Sequence, residues 1–307
     1  MENNMLIEQK REYYAAKRNE LVQKSRYSLT PQQYDLLTYL ISMIKKRDEP
    51  SKRYTLSIIE FCQLCNKNYK NSWYYTSIKN DIKTIADASI WVQQDNGKEK
   101  LTRWLDEVII DKGSGILEVS FHRSIYPYIF DLTEKYTMIP VKCILPLGTF
   151  TSKRLYEELR SYQISPDTLR KEYIKAVDEE TVEEWRSRER KVKKTLGLEE
   201  LKRKLACDKY DKYADFSRYV LKKAVEEINR FTDIEVSFDG VTSKGSGKRI
   251  TGVEFTIKLI NRSFYDDDRA RNREIFYYDE AKEAHTDDKG NIIWHTMEDG
   301  KVKHIEG

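Results

Sequence analysis

Apolar residues recur at helical spacing in a first block of the chain. Leu36, Leu37, Leu40, Ile41 and Ile44 form one stripe, with Thr30 placed to cap the helix and Pro31 suited to its first position. Lys45-Lys46-Arg47 sits where the helix should end, which favours cations. A short strand at Tyr54-Thr55-Leu56 follows. Ser57 then opens a second helix running to about Asn66, with Glu60 three residues on as a capping box. A third helix is expected over Ser72–Ala86, with Ile78, Ile82 and Ile85 facing inward. Three strand-like runs come next, Ser89–Gln94, Leu101–Ile110 and Ile116–Phe121, separated by the turn formers Asp95-Asn96-Gly97 and Asp111-Lys112-Gly113-Ser114-Gly115. Helix, strand, helix, helix and β-hairpin in that order make a winged helix-turn-helix. Ahead of it, residues 5–24 read as a charged helix.

The pattern then returns. Thr151–Tyr162 reads as another amphipathic helix, and a charged stretch, Asp167–Lys194, follows it. Thr195-Leu196-Gly197-Leu198-Glu199-Glu200-Leu201 parallels Thr55-Leu56-Ser57-Ile58-Ile59-Glu60-Phe61 at an offset of 140. Ile78, Ile82 and Ile85 align with Leu221, Val225 and Ile228 at 143, and Ile90 and Val92 with Ile234 and Val236 at 144. Loop-length changes produce such a drift. Strands at Asp233–Phe238 and Arg249–Ile257, joined by Gly240–Lys248, close the second unit. The expected fold is therefore α+β, two tandem winged-helix domains. The expected divisions are a charged N-terminal helix over 1–20, a first domain over 21–148, a second over 149–260 with the charged insertion 167–194, and an acidic polar tail over 261–307.

Composition sharpens this reading. Charged residues make up 35% of the chain and hydrophobic residues 39%, and no run approaches the roughly 20 apolar residues of a membrane span. The first residues hold no apolar signal segment, so a cytoplasmic location is expected. The tail from Asn261 carries 8 Lys+Arg and 12 Asp+Glu, a charge of −4, which leaves +4 − (−4) = +8 on the remainder. A basic body suits a polyanion.

In a helix-turn-helix, the second paired helix enters the major groove. Over Tyr213–Arg230, Phe216, Val220, Ala224 and Ile228 make the core stripe, joined by Leu221 and Val225. Ser217, Arg218 and Lys222 lie off it, and Lys209 and Lys212 stand at the helix entrance. Arg218 suits bidentate pairing with guanine, and the lysines suit phosphates. The turn Thr242–Arg249 is small and basic, so Lys244, Lys248 and Arg249 fit a wing lying on DNA. Its Gly-Ser-Gly-Lys does not complete a phosphate-binding loop, because Lys248 is followed by Arg249. The first unit offers Lys70, Ser72, Thr76, Lys79, Asn80 and Lys83 on the outer side of its third helix, and Lys98, Lys100 and Arg103 on its first hairpin.

Catalytic and metal chemistry find little support. Cys62 and Cys65 share a helix face with no second pair at zinc spacing, and with Cys143 and Cys207 they read as reduced, buried thiols. Three of the four histidines, His285, His295 and His304, fall in the tail, and His122 stands alone. Among 21 tyrosines none is accompanied by a His-x-His pair. Glu183-Glu184 and Asp266-Asp267-Asp268 lie in charged, solvated stretches. No catalytic residue, metal or cofactor is expected.

Leu21-Val22-Gln23-Lys24-Ser25 before Leu29-Thr30, then Gln33–Leu37 and Leu40-Ile41, resemble the opening signature of the plasmid replication initiators of the Rep_3 type, which bind origin repeats called iterons. Thr151–Tyr162, Leu198–Leu201, Phe216 with Val220-Leu221, Glu227-Ile228-Asn229 and Gly252–Phe255 resemble its remainder, so the similarity spans about Leu21 to Leu259. The resemblance implies two winged helices, the second doing most of the base reading, with contacts at Lys212, Asp215, Ser217 and Arg218. It also implies a monomer that opens the origin and a dimer that represses the gene. The partners expected are double-stranded DNA at iterons and at the gene's own operator, a second copy of the chain, and the host's replication initiator and helicase. A winged-helix transcriptional regulator or a DNA-nicking enzyme would be the alternatives. The interdomain stretch Asp167–Lys194 is longer than the resemblance leads one to expect, and the tail has no counterpart in it.

Overall fold

The computed structural model describes residues 13–45, 48–67, 72–94, 96–111, 114–164, 188–243 and 249–260, together with isolated positions in 168–185 and three backbone strands within 284–304. In chain order the first part holds β1 (Tyr14–Arg18), α1 (Asn19–Lys24), β2 (Ser25–Arg26), α2 (Pro31–Ser42), β3 (Tyr54–Ser57), α3 (Ile58–Leu64), α4 (Ser72–Asp87), β4 (Ser89–Gln93), β5 (Glu99–Arg103), β6 (Leu105–Ile110), β7 (Ile116–Phe121), α5 (Tyr126–Ile129), β8 (Tyr136–Pro140) and α6 (Val141–Ile144). Next come α7 (Phe150–Arg160), β9 (Lys191–Gly197) and α8 (Leu198–Lys204). The third helix of the second unit, α9, is α-helical at Tyr213–Phe216, π-helical at Ser217–Leu221 and α-helical again at Lys222–Phe231. The strands β10 (Ile234–Val241) and β11 (Gly252–Leu259) follow, and in the tail β12 (Ala284–Thr286), β13 (Ile292–Glu298) and β14 (Lys301–His304) form a separate three-stranded sheet.

Local signals set the helix starts. The Thr30 hydroxyl accepts from the Gln33 amide at 3.2 Å and the Gln33 side chain accepts from the Thr30 amide at 3.0 Å, a complete capping box. Ser57 accepts from the Glu60 amide at 3.4 Å, and Ile78, Ile82 and Ile85 of α4 are buried as the periodicity requires.

The two winged-helix units share one sheet plan. In the second, β11 lies between β10 and β9, both antiparallel to it, with Phe255 opposite Phe238 on one side and Lys194 on the other. In the first, β7 lies between β6 and β3 in the same way, with Leu117 opposite Leu56 and Ile110. The strand in the place of β10 is therefore β6, and the alignment of Ile90 and Val92 with Ile234 and Val236 holds for chain order but not for the sheet. The hairpin β4–β5 is an insertion that joins β2 in a sheet of its own. Leu101–Ile110 is accordingly two strands rather than one. The break falls at Trp104, fully buried with its ring edge-on to Tyr27 at 5.1 Å, which anchors the corner where the chain changes sheets.

The N-terminal segment is not one charged helix. Residues 14–18 form β1, paired with β8 in the register Ala15↔Ile139 and Lys17↔Thr137, and only residues 19–24 are helical; residues 1–12 lie outside the described part. A strand wins because Tyr14, Ala15, Ala16 and Lys17 are buried in succession, and the Lys17 charge is matched by an ion pair with Glu157. The helix α7 is amphipathic, but its charged side does not face solvent. Lys153, Arg154, Glu157, Glu158 and Arg160 are buried along with Leu155, Tyr156 and Leu159. The charged stretch Asp167–Lys194 also ends inside the fold, since residues 191–194 are the first part of β9.

α7 joins the two units. Toward the first, Lys153 donates to Asp35 at 2.6 Å and Arg154 to the Val22 carbonyl at 2.9 Å. Toward the second, Tyr156 and Arg160 donate to Asp233 at 2.7 and 3.0 Å, and Glu158 accepts from Lys204 at 2.9 Å. Buried residues of both units form one continuous core around it.

Candidate nucleic-acid interface

α9 is held by its inner face and its two ends. Phe216, Val220, Leu221, Ala224, Val225 and Ile228 are buried. These positions drift in a plain α-helix, because repeated steps of four exceed 3.6 residues per turn. The π turn at Ser217–Leu221 absorbs the drift: the Lys222 amide donates to the Ser217 carbonyl, and the stripe stays inward. At the far end, Asn229 clasps the wing strand, accepting from the Val236 amide at 2.7 Å and donating to its carbonyl at 2.9 Å. Glu227 accepts from the Gly148 amide at 2.9 Å, which ties α9 to the turn before α7.

The helix entrance is set against the wing in both units by the same device. In the second, the Tyr213 ring lies on Gly240, where a Cβ would come within 2.8 Å of it. In the first, the Tyr75 ring lies on Gly115, where a Cβ would stand 3.1 Å away and where φ is +72°. Glycine meets both demands. The pairing also identifies β6–β7 as the wing of the first unit.

Lys209, Lys212, Asp215, Arg218 and Lys222 are exposed and Ser217 is half-buried, all along the entrance and outer side of α9. Arg218 lies over the Tyr219 ring at 5.4 Å, and Lys209 over Tyr210 at the same distance. Arg249 is exposed just before β11, whereas Lys244 and Lys248 lie outside the described residues. The buried Lys202, paired with Glu199 at 3.1 Å, donates to the Asp211 carbonyl at 3.4 Å and steadies the connection between α8 and α9. In the first unit Thr76, Asn80 and Lys83 are exposed on α4, and Lys79 lies over Tyr75 at 4.1 Å; Ser72 opens the helix and Lys70 is outside the described residues.

Lys98, Lys100 and Arg103 belong to the inserted β4–β5 hairpin rather than to the wing. Lys100 in particular is turned onto the protein, donating to the Ser124 carbonyl at 2.9 Å. Trp73, Tyr219 and Ile59 are exposed at 61%, 47% and 46% on the helix-turn-helix faces, and being apolar they carry none of the polar or basic signal that marks such a face in the sequence. Among the described residues no group of three His, Cys, Asp or Glu could hold a metal ion, and no helix is long and apolar enough to cross a membrane.

Comparison with known proteins agrees with this architecture. Residues 14–160 match the family described as "Initiator Replication protein, WH1", and residues 197–257 match "Initiator Rep protein, WH2". No curated protein matches the chain by sequence. A solved structure of the Pi initiator protein in complex with iteron DNA is similar in fold, with a TM-score of 0.62, 20% identity, 81% of this chain covered and 98% of that chain. RctB domains 2–3 align with a TM-score of 0.37 at 13% identity, covering 79% of this chain and 83% of that one. With both winged-helix families matched in order along it and their shared plan visible in its sheets, the chain belongs to the two-winged-helix replication initiators, the DNA-binding proteins that start plasmid replication.

Proposed function

We propose that this protein starts replication by binding direct repeats in double-stranded origin DNA, laying α4 and α9 in successive major grooves. The observation that carries the reading is the exposed, cation-bearing outer side of α9, held between a buried apolar stripe and a wing. On it Asp215, Ser217 and Arg218 are the base readers, with Lys209, Lys212, Lys222, Lys244, Lys248 and Arg249 on phosphates. Recognition helices seated in successive major grooves, one turn of the DNA apart, would span repeats of about 20 base pairs. The solved Pi initiator is itself held on iteron DNA, which supports the same ligand class here.

The protein acts by binding, without catalysis, in the cytoplasm, and represses its own gene through a dimer. Self-association has support in the β4–β5 hairpin, where Trp91 and Leu101 face each other across the strands while 43% and 52% exposed, on a sheet whose edge is β5. Footprinting of the full chain on the DNA flanking its gene tests the reading. Evenly spaced protected repeats beside an A·T-rich stretch, whose deletion stops replication of a plasmid carrying them, are expected. Protection confined to the promoter, with replication unaffected by its loss, would make the protein a transcriptional regulator instead.

A further inference from the structure

We infer that Trp73 is a specificity residue of the first winged helix, reading thymine through its 5-methyl group in the major groove. The inference rests on the DNA-binding reading above and adds to it a residue and the base it reads. Trp73 is the most exposed large hydrophobic side chain among the described residues, at 61%. A side chain of this size forgoes much of its burial gain by standing in water. It is the second residue of α4, and in a helix-turn-helix the N-terminal residues of the recognition helix meet base edges. Its ring stands edge-on to Tyr74 at 4.9 Å, and Tyr74 packs against the core, so the indole has a firm base.

The repeat within the chain places it further. The π turn adds one residue to α9, so correspondences on its N-terminal side fall at an offset one lower, 142 in place of 143. Tyr74 then matches Phe216, both inward, and Trp73 matches Asp215, both exposed. The two units thus present chemically opposite groups at one position, a carboxylate in the second and an indole in the first. A carboxylate suits the amino group of cytosine. The thymine methyl is the apolar group on the major-groove edge, and so it is the partner an indole there can bury. The surroundings favour DNA over an apolar protein partner, because Thr76, Asn80 and Lys83 are exposed on the same helix and Lys79 stands beside them.

The test uses the full chain and duplexes it enriches from a random-sequence pool. Each thymine of the enriched site is replaced in turn by deoxyuridine, which deletes the methyl group alone. Wild-type affinity should fall about 4-fold at one or two positions, the effect of one buried methyl-sized group. Trp73→Ala should bind the thymine duplex that much more weakly and be indifferent to the replacement at those positions. Trp73→Phe should keep part of the preference, and the melting temperatures should match, since the side chain is exposed. A Trp73→Ala protein with an unchanged thymine-to-deoxyuridine ratio at every position, or with undiminished affinity, overturns the inference while leaving the DNA-binding reading intact. Failure of the wild-type chain to enrich any sequence overturns both.

Discussion

α7 and α9 are written in much the same residues and meet opposite fates. α7 holds Lys153, Arg154, Glu157, Glu158 and Arg160, and every one is buried; of the charged residues of α9, Asp215, Arg218, Lys222, Lys223, Glu226 and Arg230 are exposed and Glu227 is half-buried. Burying an ion costs several kcal/mol unless its partner is buried with it. α7 meets that condition from both units: Glu157 pairs with Lys17 and with Arg154 at 3.1 Å, Lys153 with Asp35 at 2.6 Å, and Arg160 with Asp233 at 3.0 Å. Burial pushes the Glu157 carboxyl up, but the Lys17 and Arg154 cations outweigh it and hold the group below its usual range. Among the described residues no such counterion is recorded across the outer side of α9, whose cations remain available to an external anion. Charge on a helix thus marks either a seam between units or a binding face, and distant partners decide which.

Substitutions in the two helices should therefore have different consequences. The largest effect is expected from Glu157→Gln, which leaves Lys17 and Arg154 buried without their anion and should cost about 3–5 kcal/mol of stability in urea unfolding. Its pH dependence has a definite sign. The folded carboxyl titrates below the unfolded one, so its contribution is complete above the unfolded value and is lost as pH falls through the folded value. The wild type should therefore lose stability on acidification more steeply than the variant, and parallel curves would count against the pairing. Next, Arg218→Ala should weaken binding to the specific site by roughly 1–3 kcal/mol and relax preference at one base pair, while changing stability by less than about 0.5 kcal/mol. Equal losses on specific and random DNA would show that Arg218 does not read a base. Smallest is Lys222→Ala, expected to weaken all sequences alike and to reduce the salt slope by about 1, read from affinities at a series of salt concentrations.

The features legible in the sequence are those fixed by nearby residues. Thr30 with Gln33 and Ser57 with the Glu60 amide announce α2 and α3, and the spacing of Ile78, Ile82 and Ile85 announces α4 and its inner face. The repeat at an offset of 140 is structural as well, since β3 leads into α3 as β9 leads into α8. What escaped depends on contacts far along the chain. The ion pair of Lys17 with Glu157 spans 140 positions, so nothing near Lys17 signals that a charged segment will be an interior strand. The change of sheet at Trp104 involves Tyr27, far away in sequence, so the turn formers alone do not tell the inserted hairpin of Lys98, Lys100 and Arg103 from the wing, whose pairing belongs to β6–β7. The π turn of α9 did leave a trace in the four-residue spacing of Phe216, Val220, Ala224 and Ile228, which an uninterrupted α-helix would rotate off one face.

Titration of the full chain against two duplexes of equal length and composition, one with tandem repeats from its origin and one with those repeats scrambled, over 50–200 mM salt, bears most directly on the account. If two winged helices read the repeats and neutralise about 6–10 phosphates, the repeat duplex should bind at least about 10³-fold more tightly, and its affinity should fall about 10³–10⁵-fold across that range. Equal affinity for both duplexes, or an affinity for the repeats that salt leaves unchanged, would contradict it.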